Sequence, residues 1–251
     1  MDKRIGAQFY TIRDFCKTAE GLEHSFAKVK EIGYQTVQLS AIGPIEPQII
    51  RNLLDQYGLE VMCTHKGYDD YIKNLDGMLE YHKTIGCDIA GLGSMPPQFR
   101  SMKGARQFIQ EFTPVIKAFR QQGMTFAYHN HAFEFQKENG RFIMDTLIEE
   151  SELDFIVDVY WLAFAGMNPA DFIRKLGKRA TVIHFKDLGI NTESKPCMRE
   201  VMEGNLDWDS IIRACEDAGC RCAMVEQDIC PGNPFDSLKI SYNNLKTKGF
   251  C

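Results

Sequence analysis

Apolar positions along this chain fall into one phrase that repeats. A stretch with apolar residues three and four apart ends at a glycine, and a short, nearly continuous apolar run follows. The phrase occurs at Ile32-Gly33-Tyr34 before TVQLS, at Tyr57-Gly58-Leu59 before EVMCTH, and at Ile85-Gly86-Cys87 before DIAGLG. It returns at Gln122-Gly123-Met124 before TFAYHNH, at Leu176-Gly177-Lys178 before RATVIHF, and at Ala218-Gly219-Cys220 before RCAMVEQD. Helices commonly close on a left-handed residue, a conformation that glycine adopts cheaply. Strands buried on both faces read as unbroken apolar runs. RIGAQFY near the start and LDFIVDVYW around residue 158 complete eight predicted strands. The stretches between them are helical by period, as in Leu22, Phe26, Val29 and Ile32, or Phe108, Phe112, Val115, Ile116 and Phe119.

Alternating strands and helices predict an α/β protein with a parallel sheet. Eight such units in 251 residues match a single (β/α)8 TIM barrel spanning residues 1–251. A doubly wound sheet would need a phosphate-binding glycine loop after the first strand, and GLGSMPP at residues 91–97 has the wrong spacing for one. With 44% hydrophobic and 25% charged residues, the chain has the proportions of a soluble globular protein. Its longest apolar stretch, near Tyr160 to Met167, stops far short of the roughly 18 residues of a membrane helix. A net charge of −5 argues against a surface built to neutralise phosphate backbones. No nucleic acid and no membrane are therefore expected as partners.

The first residues, MDKRIG, lead straight into a strand without a hydrophobic signal region. The nine cysteines contain no CxxC pair, and Cys220-x-Cys222 lacks the second half of a structural zinc site. They read as reduced thiols filling small core positions, which places the expectation in the cytoplasm.

In such a barrel, chemistry comes from the C-terminal ends of the strands. The predicted strands end at His65, at His129-Asn130-His131, at Asp158, at His184-Phe185-Lys186-Asp187 and at Glu226-Gln227-Asp228. Residues two apart share a face of a strand, which pairs His129 with His131, His184 with Lys186 and Glu226 with Asp228. Asp158, His184 and Glu226 each follow two or three apolar residues, so they are expected in one layer at the barrel mouth. Two carboxylates and an imidazole converging there need a positive charge between them. A divalent metal is the simplest answer, with Mn²⁺, Mg²⁺ or Co²⁺ suited to such a site and Zn²⁺ also admissible. Taken singly, each residue has a plainer reading. An aspartate ending a strand caps a helix, a lone histidine is satisfied in the core, and Trp161 packs. The joint pattern over successive strands favours a site. His24 and His82 fall on helical stretches and Trp208 of GNLDWDS reads as a packing residue.

Several tracts, in order along the chain, carry a family likeness: GAQFYTIRD, IGYQTVQLS, YHNHAFEF (128–135), DVYW with AGMNP (158–169), VIHFKD (182–187), EGNLDW (203–208) and MVEQD (224–228). With them the chain resembles the sugar phosphate isomerase/epimerase family of xylose-isomerase-like TIM barrels, in the branch with YHNHxFEF on strand five. The resemblance implies one divalent metal held by residues of strands five to eight, with Asp158, His184 and Glu226 matching three ligand positions. Relatives carry a glutamate at the end of strand five, where this chain has His129. Glu134, one short loop further on, is expected as the fourth ligand, whereas strand parity favours His129.

The implied chemistry is proton removal next to a sugar carbonyl, through an enediolate. Glu226, His129 and His131 are the candidates for moving the proton. Lys186 would neutralise the developing oxyanion or bind a hydroxyl, unless an ion pair with Asp187 or Glu226 occupies it. Phe9, Tyr10, His65 and Trp161 would line the carbohydrate pocket. Reprotonation makes an isomerase or epimerase. Loss of a β-substituent makes a lyase or dehydratase acting on keto-sugars, keto-glycosides or keto-cyclitols. A non-catalytic sugar-binding barrel is a weaker alternative, and metal-dependent apurinic endonucleases of similar fold would need more metals and histidines. No glycine-rich phosphate cradle is visible, so unphosphorylated sugars fit at least as well. A homo-oligomer is compatible with the resemblance.

Overall fold

The eight apolar runs become eight parallel strands in the computed structural model, which describes residues 1–251. They are β1 Gly6–Gln8, β2 Thr36–Ser40, β3 Glu60–His65, β4 Ile89–Leu92, β5 Thr125–His129, β6 Asp154–Asp158, β7 Ala180–Phe185 and β8 Cys222–Val225. Each pairs with its sequence neighbours, β8 lies beside β1, and a parallel bridge from Lys66 to Leu92 joins β3 to β4. That order makes a TIM barrel. The helices that return the chain are α1 Ala19–Ile32, α2 Pro47–Tyr57, α3 Tyr68–Lys73, α4 Leu75–Ile85, α5 Met102–Gln121, α6 Ile143–Glu150, α7 Val159–Phe164, α8 Pro169–Leu176, α9 Trp208–Ala218 and α10 Pro234–Lys246. The glycines expected at helix ends all have positive φ; Gly58, closing α2, sits at φ 57° and ψ 46°.

Strand parity sorts the side chains into two cores. Outward residues pack on the helices: Phe126 of β5 meets Tyr71, Phe112 and Phe119 in one aromatic cluster. Inward residues fill the lower barrel with a second, smaller apolar group that includes Cys63, Ile89, Ala127, Ile156, Val182, Cys222 and Met224. Close packing there explains Gly6, since a Cβ at that position would fall on Met224 Sδ.

Two antiparallel hairpins outside the barrel were not expected. Lys137–Glu138 pairs with Arg141–Phe142 across Asn139-Gly140, both at positive φ, the residue pair that tight hairpin turns favour. Asp187–Ile190 pairs with Pro196–Arg199 just beyond β7. All nine cysteines are free, six of them buried, as core-filling thiols should be. No helix is long and apolar enough to cross a membrane.

Candidate active site

Above the apolar floor, the same inward face turns polar. His129 ends β5, Asp158 ends β6, His184 is the fifth residue of β7, and Glu226 follows β8. One ligand atom from each of the four lies within 4.8 Å of the others, and all four residues are buried. Their hydrogen bonds show which atoms remain free. His129 Nδ1 donates to the Gly93 carbonyl at 3.0 Å, which turns Nε2 toward Asp158 Oδ2, 3.3 Å away. His184 Nε2 donates to Gln38 Oε1 at 2.8 Å. That bond turns Nδ1 toward Glu226 Oε2, 2.8 Å away but out of line for a hydrogen bond.

Asp158 divides its oxygens: Oδ1 caps α7 by accepting the Trp161 N–H at 3.1 Å, and Oδ2 faces the cluster. Asn130 clamps its backbone, accepting the Asp158 N–H at 2.9 Å and donating to its carbonyl. Glu226 Oε1 accepts from Gln8 Nε2 at 2.8 Å.

A single ammonium sits among these carboxylates. Lys186 Nζ lies 3.4 Å from Asp158, 3.3 Å from Glu226 and 2.7 Å from Asp228, itself buried to 1% exposure. Burial opposes its charge, but the three carboxylates outweigh burial and hold its pKa above the ordinary lysine value. Conversely, burial would raise the Asp158 and Glu226 pKa values, yet Lys186 and the histidines beside them hold both below the usual carboxylate range. Burial also opposes the His184 cation, and Glu226 with Asp158 overcomes it, raising the pKa to about 9. His65 and His131 go the other way. Burial first, then the facing histidines, pushes His65 well down and His131 to about 3, so both rings are neutral at pH 7.

A cavity of about 270 Å³ opens over the cluster, walled by Tyr10, His65, His131, Trp161, Lys186 and Asp228 among others. His65 Nε2, His131 Nδ1 and Trp161 Nε1 are buried there without a hydrogen-bond partner, a costly state unless a ligand completes them.

Two expected residues lie elsewhere. β1 ends with Gln8 pointing inward, so Phe9 turns out, fully buried against Phe26 at 5.3 Å, and does not line the pocket. Glu134 is not brought to the cluster. Its carboxylate accepts from Tyr128 Oη at 2.6 Å and from the His131 N–H at 2.8 Å, leaving His129 as the strand-five member of the group. Lys186 pairs with Glu226, as one expectation had it, whereas Asp187 gathers four backbone N–H groups and Trp208 Nε1 on the outer side. Sequence reasoning did not single out Gln8, Gln38 and Asn130, and left Asp228 without a role.

Fold and mouth together define a TIM barrel with a buried His-Asp-His-Glu cluster that could hold a metal ion at the C-terminal ends of its strands. The family model described as "Xylose isomerase-like TIM barrel" matches residues 26–237, and the chain belongs to that family. No curated protein sequence matches it. Among solved structures, a sugar phosphate isomerase/epimerase from Parabacteroides distasonis superposes with a TM-score of 0.78 at 20% identity, over 96% of each chain. The probable 3-DHS dehydratase AsbF from Bacillus anthracis gives 0.74 at 15% identity, over 98% of this chain and 99% of its own. D-allulose 3-epimerase from Methylomonas sp. gives 0.71 at 12% identity, over 98% and 97%. At such identities the likeness is one of fold.

Proposed function

We propose that the chain is a divalent-metal-dependent enzyme that removes a proton next to a carbonyl of a carbohydrate and returns it elsewhere, as an isomerase or epimerase does. One observation carries this reading: four buried donor groups converge within 4.8 Å, and the bond from His184 Nε2 to Gln38 directs Nδ1 into the cluster without a hydrogen bond. Convergent donor atoms with oriented outer partners are what a metal centre requires, and a bound ion would take the place of the proton on His184 Nδ1. His129, Asp158, His184 and Glu226 would hold the ion. Two imidazoles beside two carboxylates suit Mn²⁺, Co²⁺ or Zn²⁺ better than Mg²⁺, which prefers oxygen. When bound, the ion supplies Lewis-acid polarisation of a carbonyl.

The remaining roles belong to the cavity wall. Glu226 is occupied on Oε1 by Gln8, which favours His131 over Glu226 as the proton acceptor. The neutral His131 ring has its Nδ1 free. Lys186, steadied by Asp228, donates to an oxygen on which negative charge develops. His65 and Trp161 meet substrate hydroxyls, and Tyr10 closes the wall.

A second reading uses the same groups. If His131 takes the proton while Lys186 gives one to a departing oxygen, the outcome is elimination, and the enzyme is a lyase or dehydratase. The unlike pair of imidazole and ammonium favours it, since epimerisation by two like bases would be served by a second carboxylate where His129 stands.

The first test is elemental analysis of the wild type and Asp158→Asn after incubation with Mn²⁺. About one equivalent is expected in the wild type and almost none in the variant, whose amide still caps α7. Keto-sugars incubated with the loaded enzyme in D2O then separate the two readings. Deuterium next to the carbonyl marks isomerase or epimerase chemistry, and an enone absorbance marks a lyase. No metal in either protein would sink both.

A further inference from the structure

Glu134 presents a puzzle of its own. The carboxylate is fully buried and forms no ion pair; its partners are a phenol and a backbone N–H. The nearby Arg100 guanidinium is engaged elsewhere, stacked 4.0 Å over the Phe133 ring and donating to the Met95 carbonyl. Burial raises the Glu134 pKa to about 7 despite the hydrogen bonds from Tyr128 and His131 that favour its charge. A leucine would fill the space without that cost, so the carboxylate calls for a reason.

Its two oxygens supply one. Oε1 is fixed from the outer face of β5 by Tyr128, and Oε2 reaches back three residues to the N–H of His131. The short turn Phe133–Phe135 is thereby tied to the strand end. The His131 ring then lies between Phe133, stacked at 5.8 Å, and Trp161 at 5.5 Å, with the edge of His129 at 4.7 Å. Side-chain contacts fix the plane of the ring, whereas only the Glu134 bond holds its backbone N–H.

We propose that Glu134 is a positioning residue: with Tyr128 as anchor, it holds the His131 backbone so that the imidazole faces the cavity. This assignment rests on the acid–base role given to His131, but its structural half stands apart from it. An acceptor that orients a group at a reactive centre contributes through geometry, and losing it typically costs 10- to 100-fold in rate.

The test compares Glu134→Gln with Glu134→Met, each with metal content, melting temperature and ¹⁵N imidazole spectra. Both variants should keep about one equivalent of Mn²⁺, because Glu134 lies outside the cluster. Glutamine retains an acceptor for the His131 N–H, and its turnover should stay within about threefold of wild type. Methionine removes both acceptors. Its His131 resonances should broaden or average between tautomers, and its kcat should fall about 10- to 100-fold with KM little changed. Loss of metal from either variant would make Glu134 a ligand and overturn the proposal. Unchanged His131 resonances in a folded Glu134→Met protein would overturn it equally. The spectra need no substrate, so failure of the catalytic reading alone would leave them intact and be recognised as such.

Discussion

The floor and the mouth of this barrel are built from the same strands and the same inward parity, two to four residues apart, yet they are opposite environments. Val182 and Met224 belong to an apolar plug, while His184 and Glu226, next in line on those strands, stand in a cluster of charges. The plug is ordinary close packing and stabilises the fold by burying apolar surface. The mouth concentrates buried carboxylates and imidazoles that oppose folding unless they neutralise one another. The comparison separates stability from chemistry along a single side-chain row, and substitutions in either layer should show that separation.

The largest effect is expected at the mouth. Lys186→Met leaves Asp158, Glu226 and Asp228 without their shared cation, and breaking a buried pair from one side costs about 3–5 kcal/mol. The metal-free variant should melt well below wild type, and Mn²⁺ should recover much of the difference. No recovery would mean that the metal and the ammonium do not answer the same charges. On the floor, Met224→Ala should cost about 2–4 kcal/mol through its cavity while leaving metal stoichiometry at wild-type level. A floor variant that lost its metal would erase the distinction between the layers.

The smallest effect is one of pH. His184 titrates near 6.5 when unfolded and about 9 when folded, so its contribution is complete below 6.5 and is lost as pH rises through 9. Metal-free protein should therefore lose on the order of 1–2 kcal/mol between pH 6.5 and 8. Urea melts at several pH values would measure this, and a flat profile would contradict the pairing with Glu226.

Most of the fold is legible in the sequence. Six glycine-punctuated apolar runs, with RIGAQFY and LDFIVDVYW, mark the eight strands, and the polar residues that end those runs include Asp158, His184 and Glu226. Strand parity points to His129 at the end of strand five, and the preference for Glu134 comes from expecting a carboxylate in that place. The apolar run RIGAQFY does not fix the end of β1 to the residue; with Gln8 the last inward position, Phe9 faces out, against the expectation that it lines the pocket. Gln8 and Gln38 are harder to read, because an uncharged amide inside an apolar run carries no charge or metal-ligand signal. Their inward parity in GAQFY and TVQLS was the available signal. The clamp by Asn130 and the orphaned atoms of the cavity depend on distances across strands, which no local pattern encodes.

Asp158 has a further consequence through its two oxygens. The atom that caps α7 and the atom that faces the cluster belong to one carboxylate, so the cluster is mechanically tied to Trp161, whose indole also lies 5.2 Å from the Lys186 ammonium. The chain's other tryptophan, Trp208, is held by Asp187 against Phe185. One of two natural fluorophores is therefore fastened to the buried cluster and the other stands outside it. The protein carries its own optical gauge, in which emission from Trp161 registers the charge beside it and Trp208 serves as the internal standard.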